Sequence, residues 1–190
     1  MGASPTILSP AQRTREALLD AGHALAETEG LAGMSVNKIT ARAGVAKGTF
    51  YLHFADRDAF ILALHARFYE HIDAAIAQAR AAAAPGEPQA WASLETYLDA
   101  CLRDRAVKAL LLEARSDGVL AEAAQARRAA LAEAAVPELE ALGVIHPEAS
   151  AWLLVGMVSE IAVAEMETGR PDPHARAALR AFLQGASRAD

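Results

Sequence analysis

Apolar residues recur at helical spacing along most of the chain, and this pattern predicts an all-α fold. The first helix is predicted from about residue 10 to 29, with Ser9 as its N-cap and Pro10 at its first position. A longer helix is predicted from near Asp56 to about residue 83. Further helices are predicted at about residues 88–103, 105–115, 117–135, 147–168 and 173–186. Pro137 is expected to end or kink the helix that precedes it.

A tight turn lies between the first two long helices. Ser35 can cap a short helix that Gly44 ends, and a second short helix is predicted over about 46–54. Phe50 and Phe54, four residues apart, give this second helix one apolar side. Its other side is polar or small, so the helix is built to lie against a partner. A helix-turn-helix of this form most often places its second helix in the major groove of DNA.

The segment 84–88, APGEP, is a break in the helical pattern. Because the helix that begins at Asp56 joins the small N-terminal module to the remainder, two domains are expected. Residues 1–55 would form an N-terminal arm, over residues 1–9, and the helix-turn-helix domain. Residues 56–190 would form a helical domain.

The composition of the chain favours helices but gives little support for DNA binding. The 190 residues are rich in alanine, leucine, arginine and glutamate, and the net charge is −6. Residues 1–60 hold six basic and six acidic residues, so the N-terminal third is neutral and a local basic surface stays possible.

The candidate chemistry excludes several classes of protein. No nucleophile-elbow, zinc-protease or phosphate-loop motif is present, so we expect no enzyme, no cofactor and no metal. Cys101 is the one cysteine and cannot form an intramolecular disulfide. No signal-peptide pattern is found, which favours the cytoplasm. The apolar stretch 149–164 is short and contains Glu160, so a buried helix is expected there and not a membrane span.

The residues 30 to 57 resemble the TetR/AcrR family of bacterial transcriptional repressors. The resemblance rests on Gly30, on Ser35-Val36 with Ile39, on the run AGVAKGTFY from Ala43, on His53-Phe54 and on Arg57. Ala46 stands where the family often has serine, Leu52 where a polar or aromatic residue is frequent, and Arg57 where lysine is usual. The resemblance covers about residues 11–65.

The resemblance implies that the second short helix enters the major groove. The expected DNA contacts are Arg15, Ser35, Asn37, Lys38, Lys47, Gly48, Thr49, Tyr51, Leu52, His53 and Arg57.

Six of these residues also have an ordinary interpretation. Gly48 could be a packing site, Lys47 a solvated lysine and Tyr51 a wedge between helices. Leu52 could be a common exposed leucine or could touch a thymine methyl, and Arg15 could pair with Glu16 instead of a phosphate. His53 could be structural.

The resemblance further implies a homodimer on a palindromic site, with the last two long helices as the dimer surface. Their small residues would also suit an ordinary core.

It also implies a small-molecule effector that releases a repressor from its operator. Candidate pocket residues, each of which could equally be core, are Phe68, His71, Trp91, Leu94, Tyr97, Cys101, Leu111, Glu113, Trp152 and Met157. Few aromatic residues favour an apolar or modestly polar effector. The alternative is a DNA-binding regulator that a protein partner controls, or one without a small ligand.

Overall fold

The computed structural model describes residues 9–116 and 118–186, and this part of the chain contains helices and no strands. The helices are α1 (Pro10–Glu29), α2 (Val36–Ala43), α3 (Lys47–Tyr51), α4 (Arg57–Ala82), α5 (Glu87–Arg103), α6 (Arg105–Ser116), α7 (Ala121–Ala141), α8 (Pro147–Thr168) and α9 (Pro173–Ala186). The expected all-α architecture is confirmed. The predicted arm, apart from Ser9, lies outside the described residues.

Helix α1 begins and ends where the sequence predicts. Ser9 accepts a hydrogen bond from the Gln12 N–H at 3.2 Å, and the Gln12 side chain accepts one from the Ser9 N–H at 2.8 Å. This reciprocal pair satisfies two N–H groups that the first turn would leave without partners. Pro10 follows at the first helical position, and Gly30 ends the helix.

A cluster of phenylalanines holds α1, α3 and α4 together. The ring of Phe60 lies 5.6 Å from that of Phe50 and 5.0 Å from that of Phe54, measured between centroids. Gly22 of α1 gives Phe60 its space, since a Cβ at Gly22 would lie 2.6 Å from the Phe60 ring. These residues are buried, so the N-terminal helices rest on the first turns of α4.

The remaining helices form a bundle around the same continuous core. Helix α4 packs along α5, α7 along α8, and α5 against α8 and α9, while α6 contacts both α1 and α4. Helix α6 therefore lies between the N-terminal helices and the bundle.

Two expectations about the bundle need correction. Helix α7 starts at Ala121 and continues through Pro137 to Ala141, so Pro137 does not end it. The helix tolerates the missing N–H because its neighbour Leu139 is buried against the core and the next turn is bonded normally. The predicted start of this helix, Asp117, lies outside the described residues.

Helix α8 is only partly buried, contrary to expectation. By length and composition it could span a membrane, but Ala151, Leu154 and Val158 pack into the bundle. Trp152 and Leu153, on the other side, are 48% and 62% exposed. Hence one face of α8 belongs to the core and the other is an apolar surface.

Candidate nucleic-acid interface and ligand cavity

The turn between α2 and α3 has the backbone geometry of a helix-turn-helix. Ser35 caps α2 by accepting from the Lys38 N–H at 3.4 Å. Gly44 ends α2 in the left-handed region, with φ of 69°, which costs a glycine little. Its neighbour Val45 bonds back to the Thr40 carbonyl at 3.0 Å and closes the turn. The turn thereby brings α3 into contact with α2.

Helix α3 is shorter than predicted. It spans Lys47–Tyr51, and a turn at Leu52 and His53 leads to Phe54. Ala46 is its N-cap and makes no side-chain hydrogen bond, as its missing hydroxyl requires. Short as it is, α3 is held by Phe50, which is fully buried.

The opposite side of α3 is open. Lys47 and Gly48 are exposed, Tyr51 is 51% exposed and Leu52 is 81% exposed. A Cβ built at Gly48 would meet nothing within 4 Å, which rules out the interpretation of Gly48 as an internal packing site. Thr49 is half-buried beside this surface. We call Lys47, Gly48, Thr49, Tyr51 and Leu52 the α3 surface.

Four of the other predicted DNA contacts lie on α2, at its N-cap or just after α3. Asn37 is exposed on α2 and free to reach a partner. Lys38 is exposed but pairs with Glu29 of α1. Ser35 is exposed and already serves as the α2 cap, and half-buried His53 lies beside Phe54 with its ring 6.4 Å away.

Arg15 and Arg57 have structural partners. Arg15 lies 3.5 Å from Glu16 and its guanidinium lies 5.4 Å from the Phe54 ring centroid, so the surface pair considered from sequence is present. Arg57 donates from Nε to the Met34 carbonyl at 2.7 Å and from Nη2 to the Leu31 carbonyl at 2.9 Å. Arg57 therefore ties the loop before α2 to the start of α4, whether or not it also meets a phosphate.

A cavity of about 390 Å³ lies between α4, α5, α7, α8 and α9. Its wall is mainly apolar, with Ile76, Leu94, Leu139 and Leu154 among the lining residues. At its rim Arg80 pairs with Glu138 at 2.7 Å and donates to the Ser93 hydroxyl at 3.0 Å. An apolar or amphipathic small molecule would fit this chemistry.

Of the predicted pocket residues, Leu94 and Tyr97 line this cavity. Phe68 and His71 line a separate cleft beside α1, and Leu111 lines a smaller cavity next to Tyr97. Cys101 and Trp91 are buried, and Met157 packs against the core without lining the cavity.

Glu113 and Trp152 lie elsewhere. Glu113 accepts a hydrogen bond from the Leu31 N–H at 3.3 Å, so it joins α6 to the N-terminal helices. Trp152 lies at the surface, in a cleft with Arg128. Neither of these two predicted pocket residues lines the apolar cavity.

Sequence reasoning missed the charged residues next to the cavity, above all Lys108 and Arg127. Lys108 is buried beside the Tyr69 and Tyr97 hydroxyls. Burial raises the pKa of Tyr97 well above its usual value, so this hydroxyl keeps its proton. Burial also raises the pKa of the Cys101 thiol, although Lys108 acts in the other direction. One weak signal was available, because Lys108 lies between the buried residues Val107 and Leu110 in the α6 sequence.

Comparison with known proteins agrees with this geometry. Residues 18–64 match the family model described as bacterial regulatory proteins, tetR family. That match runs from α1 through the helix-turn-helix and into α4. No curated protein sequence matches the chain.

Solved structures share the whole fold. A transcriptional regulator from Rhodococcus sp. RHA1 is 22% identical with a TM-score of 0.75, covering 96% of this chain and 100% of that one. A TetR-like transcriptional regulator from Rhodococcus sp. RHA1 is 22% identical with a TM-score of 0.71, over 95% and 96% of the two chains. A TetR-family transcriptional regulator from Pectobacterium atrosepticum is 23% identical with a TM-score of 0.66, over 93% and 91%.

The matched domain contains the whole helix-turn-helix, and the fold beyond it is shared from end to end with regulators of the same kind. Proteins of the tetR family are DNA-binding transcription factors and not enzymes. Residues 18–64 of this chain therefore match the TetR-family regulatory domain, within a fold that nearly the whole chain shares with solved transcriptional regulators.

Proposed function

We propose that this regulator acts in the cytoplasm as a homodimeric repressor, and that a small-molecule effector releases it from a palindromic operator. The observation that carries the DNA-binding part is the α3 surface, where a helix anchored by buried Phe50 exposes Lys47, Gly48 and Tyr51. Such a surface can approach base edges closely because glycine adds no bulk.

Within the α3 surface we assign two kinds of contact. Lys47 reaches a guanine edge or a phosphate, and the Tyr51 hydroxyl donates to a phosphate. Thr49 and His53 support the same backbone contacts, together with Ser35, Lys38 and Arg15. Asn37 of α2 and Leu52 are the further candidates for base contact, Leu52 through a thymine methyl.

The mainly apolar cavity supports the small-molecule part of the proposal. Its volume of about 390 Å³ lies in the range of ligand pockets. An effector that binds one conformation of the bundle more tightly than another would shift the dimer away from the form that fits DNA. Regulation by a protein partner alone would leave this cavity without a role.

The test of DNA binding is fluorescence anisotropy with labelled fragments from around the chain's own gene at moderate salt. Wild type should bind one fragment well above random DNA. Lys47→Ala should lose about 1–3 kcal/mol and relax the sequence preference if the lysine reads a base. Tyr51→Phe should lose about 1 kcal/mol equally on all sequences.

The matched control is Arg103→Ala, which removes one positive charge from an exposed side chain at the end of α5. It should leave the affinity for the fragment unchanged. If no fragment exceeds random DNA, or if Arg103→Ala weakens binding as much as Lys47→Ala does, the α3 surface is not the reading surface.

A further inference from the structure

Lys108 is a buried cation without an anionic partner. Its side chain on α6 is 6% exposed, and Nζ donates to the Tyr69 hydroxyl at 3.0 Å and to the Tyr97 hydroxyl at 3.2 Å. No acidic side chain in residues 9–116 or 118–186 forms an ion pair with it. A buried charge normally has an opposite charge beside it, because removing it from water is costly.

Arg127 of α7 has an unused N–H at the same place. Its two terminal nitrogens bind the Asp73 carboxylate of α4, and its guanidinium lies 4.7 Å from the Tyr69 ring centroid. Its Nε is buried and has no hydrogen-bond partner. Buried donors are almost always satisfied, so an acceptor is expected next to this atom.

Lys108 and Arg127 line one cavity of about 150 Å³ between α4, α6, α7 and α8. His65, Arg115 and Arg128 contribute to the same wall, and Glu160 is the acidic residue that lines it. Burial lowers the pKa of His65, and the charges of Lys108 and Arg127 lower it further. Burial first, and then these two positive charges, therefore disfavour a positively charged imidazolium at this place.

This cationic cavity adjoins the large apolar one. Tyr97, Leu131 and Ser159 line both, so each forms part of the wall between them. The Ser159 hydroxyl donates to the Val155 carbonyl at 2.7 Å and, being neutral, does not offset the charge of Lys108. A cationic environment and an apolar one are therefore adjacent, as a molecule with an anionic end and a hydrocarbon chain requires.

We propose that the effector is an amphipathic carboxylate, with its carboxylate held by Lys108 and the free Nε–H of Arg127 and its hydrocarbon chain in the apolar cavity. The two carboxylate oxygens match the two donors, one for the ammonium and one for the N–H. The inference deepens the effector role proposed above and rests on it for its regulatory meaning. The site itself stands on the buried Lys108 ammonium, which no carboxylate among the described residues pairs with, and on the buried Arg127 Nε–H, which has no acceptor.

Binding is tested with four probes on the full chain: decanoate, 1-decanol, decylamine and butyrate, each below its aggregation concentration. Isothermal titration calorimetry should give decanoate an affinity at least tenfold above that of 1-decanol. Decylamine should bind more weakly still, because its charge is repelled. Butyrate should bind at least tenfold more weakly than decanoate because it leaves the apolar cavity empty.

Lys108→Met keeps a long apolar side chain and removes the charge. In this variant decanoate should lose at least tenfold in affinity, while 1-decanol binds as it does to wild type. Arg103→Met, at an exposed arginine at the end of α5, is the matched control and should change neither affinity. If Lys108→Met does not fold, Arg127→Gln serves the same purpose, because it removes the free Nε–H.

Equal affinity for decanoate and 1-decanol, or an unchanged decanoate affinity in the folded variants, would overturn the site. If inorganic phosphate displaces decanoate as effectively as butyrate displaces it, the choice of a carboxylate is overturned. The DNA assay separates the two proposals. Decanoate that binds without releasing DNA defeats the regulatory role alone, whereas DNA binding that persists while decanoate fails to bind defeats the site alone.

Discussion

At Gly48, stability and recognition favour different side chains. The residue lies in α3 with nothing within 4 Å of a built Cβ. Alanine is a better helix former than glycine by about 1 kcal/mol at most positions. The helix would therefore accept a methyl group, and any penalty for it must come from a partner outside the chain.

We expect Gly48→Ala to leave the free energy of unfolding unchanged or to raise it by up to about 1 kcal/mol. It should nevertheless weaken operator binding at least fivefold, because the methyl holds α3 away from the groove. Urea unfolding and DNA anisotropy on one preparation measure both effects. A variant that is less stable than wild type, or that binds DNA equally well, would show that Gly48 has another role.

Single residues were predicted best where their role depends on neighbours in the chain. The burial of Phe50 and Phe54 and the exposure of Lys47 and Tyr51 follow from helical spacing, and the structure confirms them. The bonds of Arg57 to the Met34 and Leu31 carbonyls could not be predicted, because they depend on the path of a loop more than twenty residues earlier.

Among the helices, α8 and α9 are joined by a buried ion pair. Glu165 is fully buried and binds Arg176 through two hydrogen bonds of 2.7 Å, and it also accepts from the Asp172 N–H at 2.9 Å. Arg176 reaches Asp99 of α5 at 2.6 Å as well. Removing one partner of such a pair leaves the other charge buried and unpaired.

Glu165→Gln should lower the free energy of unfolding by about 3 kcal/mol at neutral pH. Burial alone would raise the pKa of Glu165, but the hydrogen bonds from Arg176 and Asp172 outweigh it and hold the pKa below its ordinary 4.5. A lowered pKa gives stability that is complete above the ordinary value and is lost as the pH falls through the lowered one.

The difference in unfolding free energy between wild type and Glu165→Gln should therefore shrink as the pH falls below the ordinary glutamate pKa of 4.5 and through the lowered pKa of Glu165. Urea unfolding at several pH values measures it. Arg103→Ala, which loses only an exposed contact to Asp104, should differ little from wild type at any of them. A difference for Glu165→Gln that is constant with pH would mean that charge is not what Glu165 contributes.

The limits of the helices were predictable where caps and breakers mark them. Ser9, Pro10 and Gly30 give α1 its ends, and α8 and α9 begin at Pro147 and Pro173 as expected. Helix α7 was the exception, since a proline signals a break only when packing does not hold the helix on both sides of it.

For the molecule as a whole, the outer face of α8 and α9 is the surface that a dimer would cover. Leu153 is 62% exposed and Phe182 is 39% exposed, while Ala149, Ala178 and Ala181 are exposed around them. Exposed apolar groups among small residues allow two helices to approach closely. On this basis we propose that α8 and α9 pair with the same helices of a second chain.

Leu153→Glu combined with Phe182→Glu should convert the dimer to a monomer in sedimentation velocity at micromolar concentration, because the charges would be buried without partners. Operator binding should fall with it, since one helix-turn-helix reads too few base pairs. The control is Leu62→Glu, at a residue of α4 that is 41% exposed. A double variant that remains dimeric would place the interface elsewhere.

The α3 surface was predictable from sequence and the cavity was not, because only the α3 surface is formed by residues that are neighbours in the chain. The residues of the α3 surface lie within one short segment, and the position of that segment follows from the turn at Gly44. The cavity joins Asp73 to Leu183 across five helices, and no local pattern gives the angles at which those helices pack.

The hydrogen bond between Glu113 and the Leu31 N–H has a practical consequence for engineering. A hybrid regulator that exchanged the N-terminal helices at a junction near the start of α4 would join them to the bundle of another chain. In this chain such a junction would separate Leu31 from the Glu113 carboxylate that α6 supplies. The exchanged N-terminal helices would then lack this hydrogen bond to the bundle. A functional hybrid should therefore exchange α6 together with the N-terminal helices, or include a residue that replaces the Glu113 carboxylate.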